Sequence, residues 1–369
     1  ARGLGPWRAF FSVARPLARP AVAAGIALAL METLADYGTV AYFAVNTFTT
    51  GIYRAWFSLG DRVAAAQLAA MLLSFVLFLL MVERVSRGRA RYNNTTGRNR
   101  PLAGARLGGL GSLLAVVACS LPLLLGFVLP AVLLLKMALT EGDAQFGERF
   151  LLLSRNSFLL AGITACIGVL LALLMAYGAR LSKSTLASGL NRLVGLGYAV
   201  PGAVIAVGVL IPVTRLDNWL AGQWEHWFGS NPGLLLTGGI AALIYAYLVR
   251  FLAVALHTVE SSLAKITPNM DDAARCLGLG QGETLRRVHA PMLRGSLFTA
   301  GLLVFVDVMK ELPATLVMRP FNFDTLATQT YTRAADERLA EASTAALAIV
   351  AVGLLPLIAL SRQVSRARK

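Results

Sequence analysis

Four carboxylates stand in stretches otherwise too apolar to hold them. Glu32 and Asp36 lie in AVAAGIALALMETLADYGTVAYFAV (21–45), Asp307 and Glu311 in GSLFTAGLLVFVDVMKELPATLV (295–317). Each pair is spaced i, i+4, which predicts two acids on one helical face. A shift of 275 positions carries Glu32 onto Asp307 and Asp36 onto Glu311, so the arrangement occurs twice. Counted at ~1.5 Å per residue from Pro20, Glu32 sits roughly 18 Å along its helix, near mid-bilayer, and Asp36 about 6 Å beyond it. Ionisable groups at that depth face a water-filled path or a partner. The competing reading is that they lock helices together, with Glu311 paired to Lys310 or to an arginine of a neighbouring helix.

Other chemistries find little support. A nucleotide-hydrolysing chain needs a GxxxxGK[ST] loop, and GARLSKS (178–184) is one residue short and sits at a helix end. His226, His257 and His289 are scattered, as are Cys119, Cys166 and Cys276, so neither a metal cluster, a catalytic triad nor a disulfide framework is spelled out. No nucleophile and base constellation supports a membrane-embedded hydrolase.

The elements that must position the acids are membrane spans. The chain has 369 residues, 57% of them hydrophobic and only 14% charged, with mean hydropathy +0.66, and the apolar residues fall into runs rather than a period. That composition predicts an all-α, polytopic transmembrane protein. Eight spans are expected, near 21–45, 63–83, 112–138, 157–178, 193–213, 235–257, 295–317 and 342–361. The net charge of +15 reads as positive-inside retention rather than nucleic-acid binding, because the arginines cluster beside the spans. Arg180, Lys183, Arg192 and the basic end at Arg362, Arg366, Arg368 and Lys369 belong on one side; acidic or mixed loops holding Glu141, Asp143, Glu148, Asp217, Glu225, Asp324, Asp336, Glu337 and Glu341 belong on the other. Within VPGAVIAVG (200–208), Pro201 breaks a helix and Gly202 gives a small face for close packing or a path lining.

One polar island interrupts the second acid-bearing region, TPNMDDAARCLGLGQGETLRRVHAPMLR (267–294). Thr267 as N-cap, Pro268 in the first turn, Asp271 and Asp272 at the positive helix end and Gly278 as a left-handed stop predict a helix over 268–277. A glycine turn and a second helix follow, and Pro291 leads into the apolar run. The same 275-position shift lays Gly3, Leu4, Gly5, Val13, Pro16 and Arg19 on Gly278, Leu279, Gly280, Val288, Pro291 and Arg294. The chain thus reads as a tandem repeat that opens inside its first copy: residues 1–83 as the later part of one repeat with two spans, 84–108 as a basic linker, and 109–369 as a complete second repeat of six. The sequons around Asn93-Asn94-Thr95-Thr96 fall in that linker, on the cytoplasmic side, and carry no meaning there.

This island resembles the EAA loop of bacterial ABC-importer permeases, E-A-A, three residues, G, nine residues, I-x-L-P. Asp272, Ala273 and Ala274 precede Gly278, while Val288 and Pro291 fall at the I and P positions; Asp for Glu, Val for Ile and Ala290 for Leu are the departures. METLADYGTVAYF and VDVMKELPATLVMRPFNFDTLA resemble the ferric-iron branch, whose permeases fuse two six-span halves. The resemblance implies a type I importer-like permease in the bacterial inner membrane, with no cofactor or stable metal of its own. ATP and Mg would reside on two copies of a partner ATPase seated against the EAA loops. A periplasmic binding protein would deliver substrate to outer loops such as 46–66 and 321–342, where Arg62 aligns with Arg338 after a one-residue gap. The hard oxygens of Glu32, Asp36, Asp307 and Glu311, with Pro201 and Gly202, would then line a path for Fe³⁺. An importer of thiamine, a polyamine or a phosphonate shares the EAA loop, and an ion-coupled secondary transporter also uses repeats and intramembrane acids.

Overall fold

The computed structural model describes residues 5–87, 108–140, 147–182 and 184–367. Gly3, Leu4, Glu141, Asp143, Lys183, Arg368, Lys369 and positions 88–107 of the 84–108 linker lie outside the described residues. In hydrocarbon a backbone must satisfy its own polar groups, so apolar runs of this length become helices. In chain order these are α1 (Trp7–Ala35), α2 (Gly38–Tyr42), α3 (Phe48–Tyr53), α4 (Arg62–Arg87), α5 (Gly109–Thr140), α6 (Glu148–Ser182), α7 (Thr185–Gly195), α8 (Gly202–Phe228), α9 (Ala241–Leu263), α10 (Pro268–Cys276), α11 (Gln281–Met309), α12 (Pro313–Met318), α13 (Leu326–Ala335) and α14 (Leu339–Ala367). Eight of them, α1, α4, α5, α6, α8, α9, α11 and α14, are long and apolar enough to cross a membrane.

Three boundaries differ from the sequence expectation in ways that matter. The runs 21–45 and 295–317 are not unbroken spans: α1 stops at Ala35 and α11 at Met309, each followed by a short helix. Pro313 explains the second stop, since it has no N–H to donate and disfavours helical backbone before it; Gly38 occupies the same register in the first. The expected span 193–213 is instead the short helix α7, a tight turn at Gly197–Ala199, and α8 starting at Gly202. Pro201 therefore stands at the N-cap of α8 rather than inside a broken helix.

The tandem repeat is written into the backbone. A wide π turn at Phe10–Ala14 in α1 recurs at Leu285–His289 in α11. Pro16 and Pro291 follow these turns, and each lacks the N–H that would meet the carbonyl four residues back, which the wide turn accommodates. Left-handed corners recur at Ala44 and Asn322, with φ of 55° and 61°. Capping boxes recur at Thr47/Thr50 and Thr325/Thr328. By these features the offset has grown from 275 to 278, as Ala44 to Asn322 shows. It then falls to 277, from the left-handed Gly60 to the left-handed Glu337. The lost position is visible: α3 continues into a π turn at Arg54–Ser58, whereas α13 runs regularly to Ala335. One extra residue on a helical turn is what a π bulge inserts. Arg62, the first residue of α4, therefore corresponds to Leu339, and the expected alignment of Arg62 with Arg338 is corrected.

The core lies where α6, α9 and α11 pack on one another. Small residues on α6, Ala161, Ala165, Gly168, Ala172 and Ala176, bring the helices close, and Leu160, Leu243, Leu256 and Val304 fill the space between. The repeats meet where α8 packs on both α4 and α12. In α5 no residue of the apolar window is buried, the pattern of a helix facing lipid.

Candidate functional site

The two helix breaks create the site. Glu32 and Asp307 lie inside α1 and α11, while Asp36 and Glu311 fall just past the helix ends. The expectation that each pair shares one helical face is thus corrected: the bend, not the helical period, aims the second acid. All four carboxylates line a single cavity of about 300 Å³, together with Tyr37, Tyr198, Arg250 and Lys310.

Glu311 is the most committed of the four. Its side chain is 2% exposed, and it accepts the N–H groups of Ala314 and Thr315 at 3.0 and 3.1 Å and the Thr315 hydroxyl at 2.9 Å. It thereby satisfies the open N-terminus of α12. Arg250 Nη1 adds a bond at 3.2 Å from the middle of α9, and the guanidinium also rests 5.3 Å from the Phe251 ring centre. Lys310 pairs with Asp307 at 3.0 Å. Tyr198 donates to Glu32 at 3.1 Å. For the Asp36 carboxylate there is no side-chain partner among the described residues; its backbone is engaged, the N–H donating to the Thr33 carbonyl at 3.3 Å and the carbonyl accepting from the Thr49 hydroxyl at 2.7 Å.

Gly202 and Pro201 do not line this cavity. Gly202 lies beneath the Arg250–Glu311 pair, where an added Cβ would overlap Glu311 Oε1 and stand 2.9 Å from Arg250 Nη1. Its role in the fold is close approach. Among the described residues no three His, Cys, Asp or Glu side chains gather tightly enough to hold one metal ion, so the four acids form a lining rather than a chelate.

A larger cavity of about 880 Å³ shares Gly38, Thr39, Lys310 and Leu312 with the acidic one and adds Tyr42, Phe43 and Tyr331. Tyrosines stand between them. Tyr37 and Tyr331 join their hydroxyls at 3.0 Å across the two repeats. Tyr37 also stacks on Tyr53 with ring centres 3.8 Å apart, and Tyr53 donates to the Pro313 carbonyl. Tyr53 and Tyr331 are counterparts under the 278-position offset, so one tyrosine of the first repeat bridges a related pair.

The EAA-type loop, 267–294, has the expected helix, glycine turn, helix form. Gly278, at φ +80°, ends α10: its N–H meets the Arg275 carbonyl at 2.9 Å, and the Leu279 N–H meets the Ala274 carbonyl at 3.0 Å. Both bonds satisfy carbonyls that α10 leaves open. Thr267 has the N-cap backbone, but its side chain makes no capping bond. Asp272 and Ala273 are exposed with Met270 and Leu277, while Ala274 is buried and Val288 half-buried. In the first repeat Val13 and Pro16 are exposed.

Arg250, Tyr198, Tyr37 and Tyr331 were not singled out by sequence. A lone arginine in the apolar run LIYAYLVRFLAVAL was the available signal for the first; the tyrosines gave none.

A bundle of apolar helices with a broken pair, an acid-lined cavity and an EAA-type loop defines a membrane permease. Residues 168–369 match the family of binding-protein-dependent transport system inner membrane components, and this chain belongs to that family as a multi-pass inner-membrane protein. Among its relatives, the Fe(3+)-transport system permease protein FbpB 2 of Haemophilus influenzae is 26% identical over 98% of this chain and 69% of its own length. The ferric transport system permease protein FbpB of Actinobacillus pleuropneumoniae is 22% identical over 85% of this chain and 46% of its own. A Salmonella typhimurium permease named for 2-aminoethylphosphonate transport is 24% identical over 56% of this chain. The chain therefore spans between about half and two thirds of the ferric relatives it matches. In fold it resembles a crystallised bacterial ABC transporter involved in import of the acidic polysaccharide alginate, with TM-score 0.51 and 17% identity over 68% of this chain and 95% of that one.

Proposed function

We propose that this chain is the membrane permease of an ATP-driven importer whose cargo is ferric iron. The observation that carries the proposal is the convergence of Glu32, Asp36, Asp307 and Glu311 from both repeats on one cavity. Hard oxygen donors suit a hard trivalent cation, and a lining without a chelating cluster suits passage rather than storage. The names of the ferric relatives, which cover most of the chain, point to the same cargo.

In this reading a loaded periplasmic binding protein meets the outer loops around α3 and α13, and two ATPase subunits hold the EAA loops. ATP and Mg belong to those subunits. ATP-driven closure displaces α10, and the differing affinities of the two partners for inward- and outward-open states couple hydrolysis to transport. Asp272, Ala273, Met270 and Leu277 form the face offered to the ATPase, and Gly278 holds the turn. Intramembrane acids alone also fit an ion-coupled transporter, but membership of a binding-protein-dependent family favours the importer.

The test is reconstitution of the full-length permease with its ATPase in proteoliposomes, comparing hydrolysis with ferric-loaded and empty binding protein. Stimulation by the ferric form with labelled iron entering the vesicles is the expected result. Stimulation only by a binding protein carrying another solute, a phosphonate for example, keeps the importer and rejects iron. Uptake that follows a proton gradient without ATP rejects both.

A further inference from the structure

The docking helix is tied into the bundle by one cluster that the EAA motif does not name. Arg180, near the end of α6, donates Nε and Nη2 to Asp271 Oδ2 at 3.1 and 2.7 Å. It also donates Nη1 to the Leu263 carbonyl and Nη2 to the Ile266 carbonyl, both at 2.9 Å, closing the open C-terminus of α9. The second oxygen of Asp271 lies 2.8 Å from Nε2 of His289. That contact is close but off the line of a good hydrogen bond, and neither atom has another partner. His289 is fully buried in the π turn of α11, with the Tyr177 ring of α6 set edge-on at 5.4 Å and the Tyr177 hydroxyl bonded to the Gln281 carbonyl at 2.9 Å.

Four elements, α6, α9, α10 and α11, are thus joined through the Arg180–Asp271 pair. The adjacent Asp272, the acid of the motif itself, behaves differently: it is 63% exposed and pairs only with Arg275 one turn away. A planar guanidinium held by four hydrogen bonds to three acceptors, with the acceptor side chain backed by a buried imidazole, resists shear as an exposed pair does not.

We propose that Arg180, Asp271 and His289 are positioning residues that transmit displacement of the docking helix into the membrane. The proposal rests on the reading of the chain as a permease driven through this loop. From His289 the helix α11 runs without interruption to Asp307, a rise of about 27 Å at 1.5 Å per residue, so movement at the cluster is delivered to the acid-lined cavity as rigid-body movement of α11. The joint belongs to the second repeat: the position of His289 is taken in the first by Ala14, which is exposed.

The experiment uses the full-length permease with its ATPase and ferric-loaded binding protein in proteoliposomes, and reads iron imported per ATP hydrolysed. Asp271→Asn keeps the shape and removes the charge. The expected result is about a tenfold fall in that ratio, with hydrolysis retained and the complex assembled. His289→Gln lowers the ratio less, Asp271→Glu restores part of it, and Arg180→Gln with Asp271→Asn is no worse than either alone, because both break one joint. Should Asp271→Asn fail to assemble, Arg180→Lys, which keeps charge but loses the fork, carries the test. A wild-type ratio in the assembled variant, or additive losses in the double variant, overturns the joint. A wild-type complex whose hydrolysis ignores the binding protein overturns the underlying reading instead.

Discussion

The two repeats agree in backbone and disagree in charge. The π turn before the proline, the break after the first acid, the left-handed corner and the threonine capping box all occur in both. The partners of the acids do not. Asp307 has Lys310 one turn on, where the first repeat has the buried Ala35; Glu311 caps α12 and holds Arg250, while its counterpart Asp36 neither caps α2 nor meets a cation among the described residues. Duplicated backbone is inexpensive to keep because its causes are local, a proline or a threonine at a given place. Charge compensation depends on what stands opposite, and opposite sides need not duplicate. The difference separates a second repeat whose acids are paired with cations from a first repeat in which Glu32 accepts only from the Tyr198 hydroxyl and the Asp36 carboxylate has no side-chain partner among the described residues.

The strongest way to break this comparison is to remove the equivalent acids one at a time. Glu311→Ala leaves Arg250 buried without its counter-charge and two N–H groups of α12 unsatisfied, so a loss of about 3–5 kcal/mol is expected. Asp36→Ala should cost no more than about 0.5 kcal/mol. Thermal unfolding of the two variants in detergent gives the contrast directly, and equal losses would abolish it. Transport should show the reverse order of specificity. Glu32→Gln with Asp36→Asn is expected to lower iron uptake about tenfold, roughly 1.4 kcal/mol, with the melting temperature little changed. If uptake survives, the first-repeat acids do not meet the cargo. The smallest effect compares the capping boxes. Thr325→Ala, at a buried cap, should lose about 1–2 kcal/mol, and Thr47→Ala, at an exposed cap, about 0.5 kcal/mol. Equal losses would mean that burial of the second repeat adds nothing to its caps.

Much of the site was legible as residue types at fixed spacing. The acids, the glycine stop at Gly278 and the 275-position repeat follow from one-dimensional order, because helix stops, left-handed turns and duplicated segments are local. The helix breaks were only half legible. Pro313 announces one, but nothing near Asp36 is stronger than Gly38, and an apolar run hides a bend when both halves are apolar. The return of the offset from 278 to 277 could not be seen by matching residues, since a π bulge alters hydrogen bonding without altering residue type.

By itself the sequence determined the class of molecule: eight apolar runs that lipid forces into helices, two pairs of acids set within such runs, and a polar loop that resembles the EAA motif. Tertiary structure alone decided what each charge does. Glu311 meets Arg250 from 61 positions away, Asp271 meets Arg180 from 91, and Tyr37 meets Tyr331 from 294. Hydrophobic periodicity reports which face is covered, not by whom. A buried charge is defined by its partner, and that partner is chosen by the packing of helices distant in the chain.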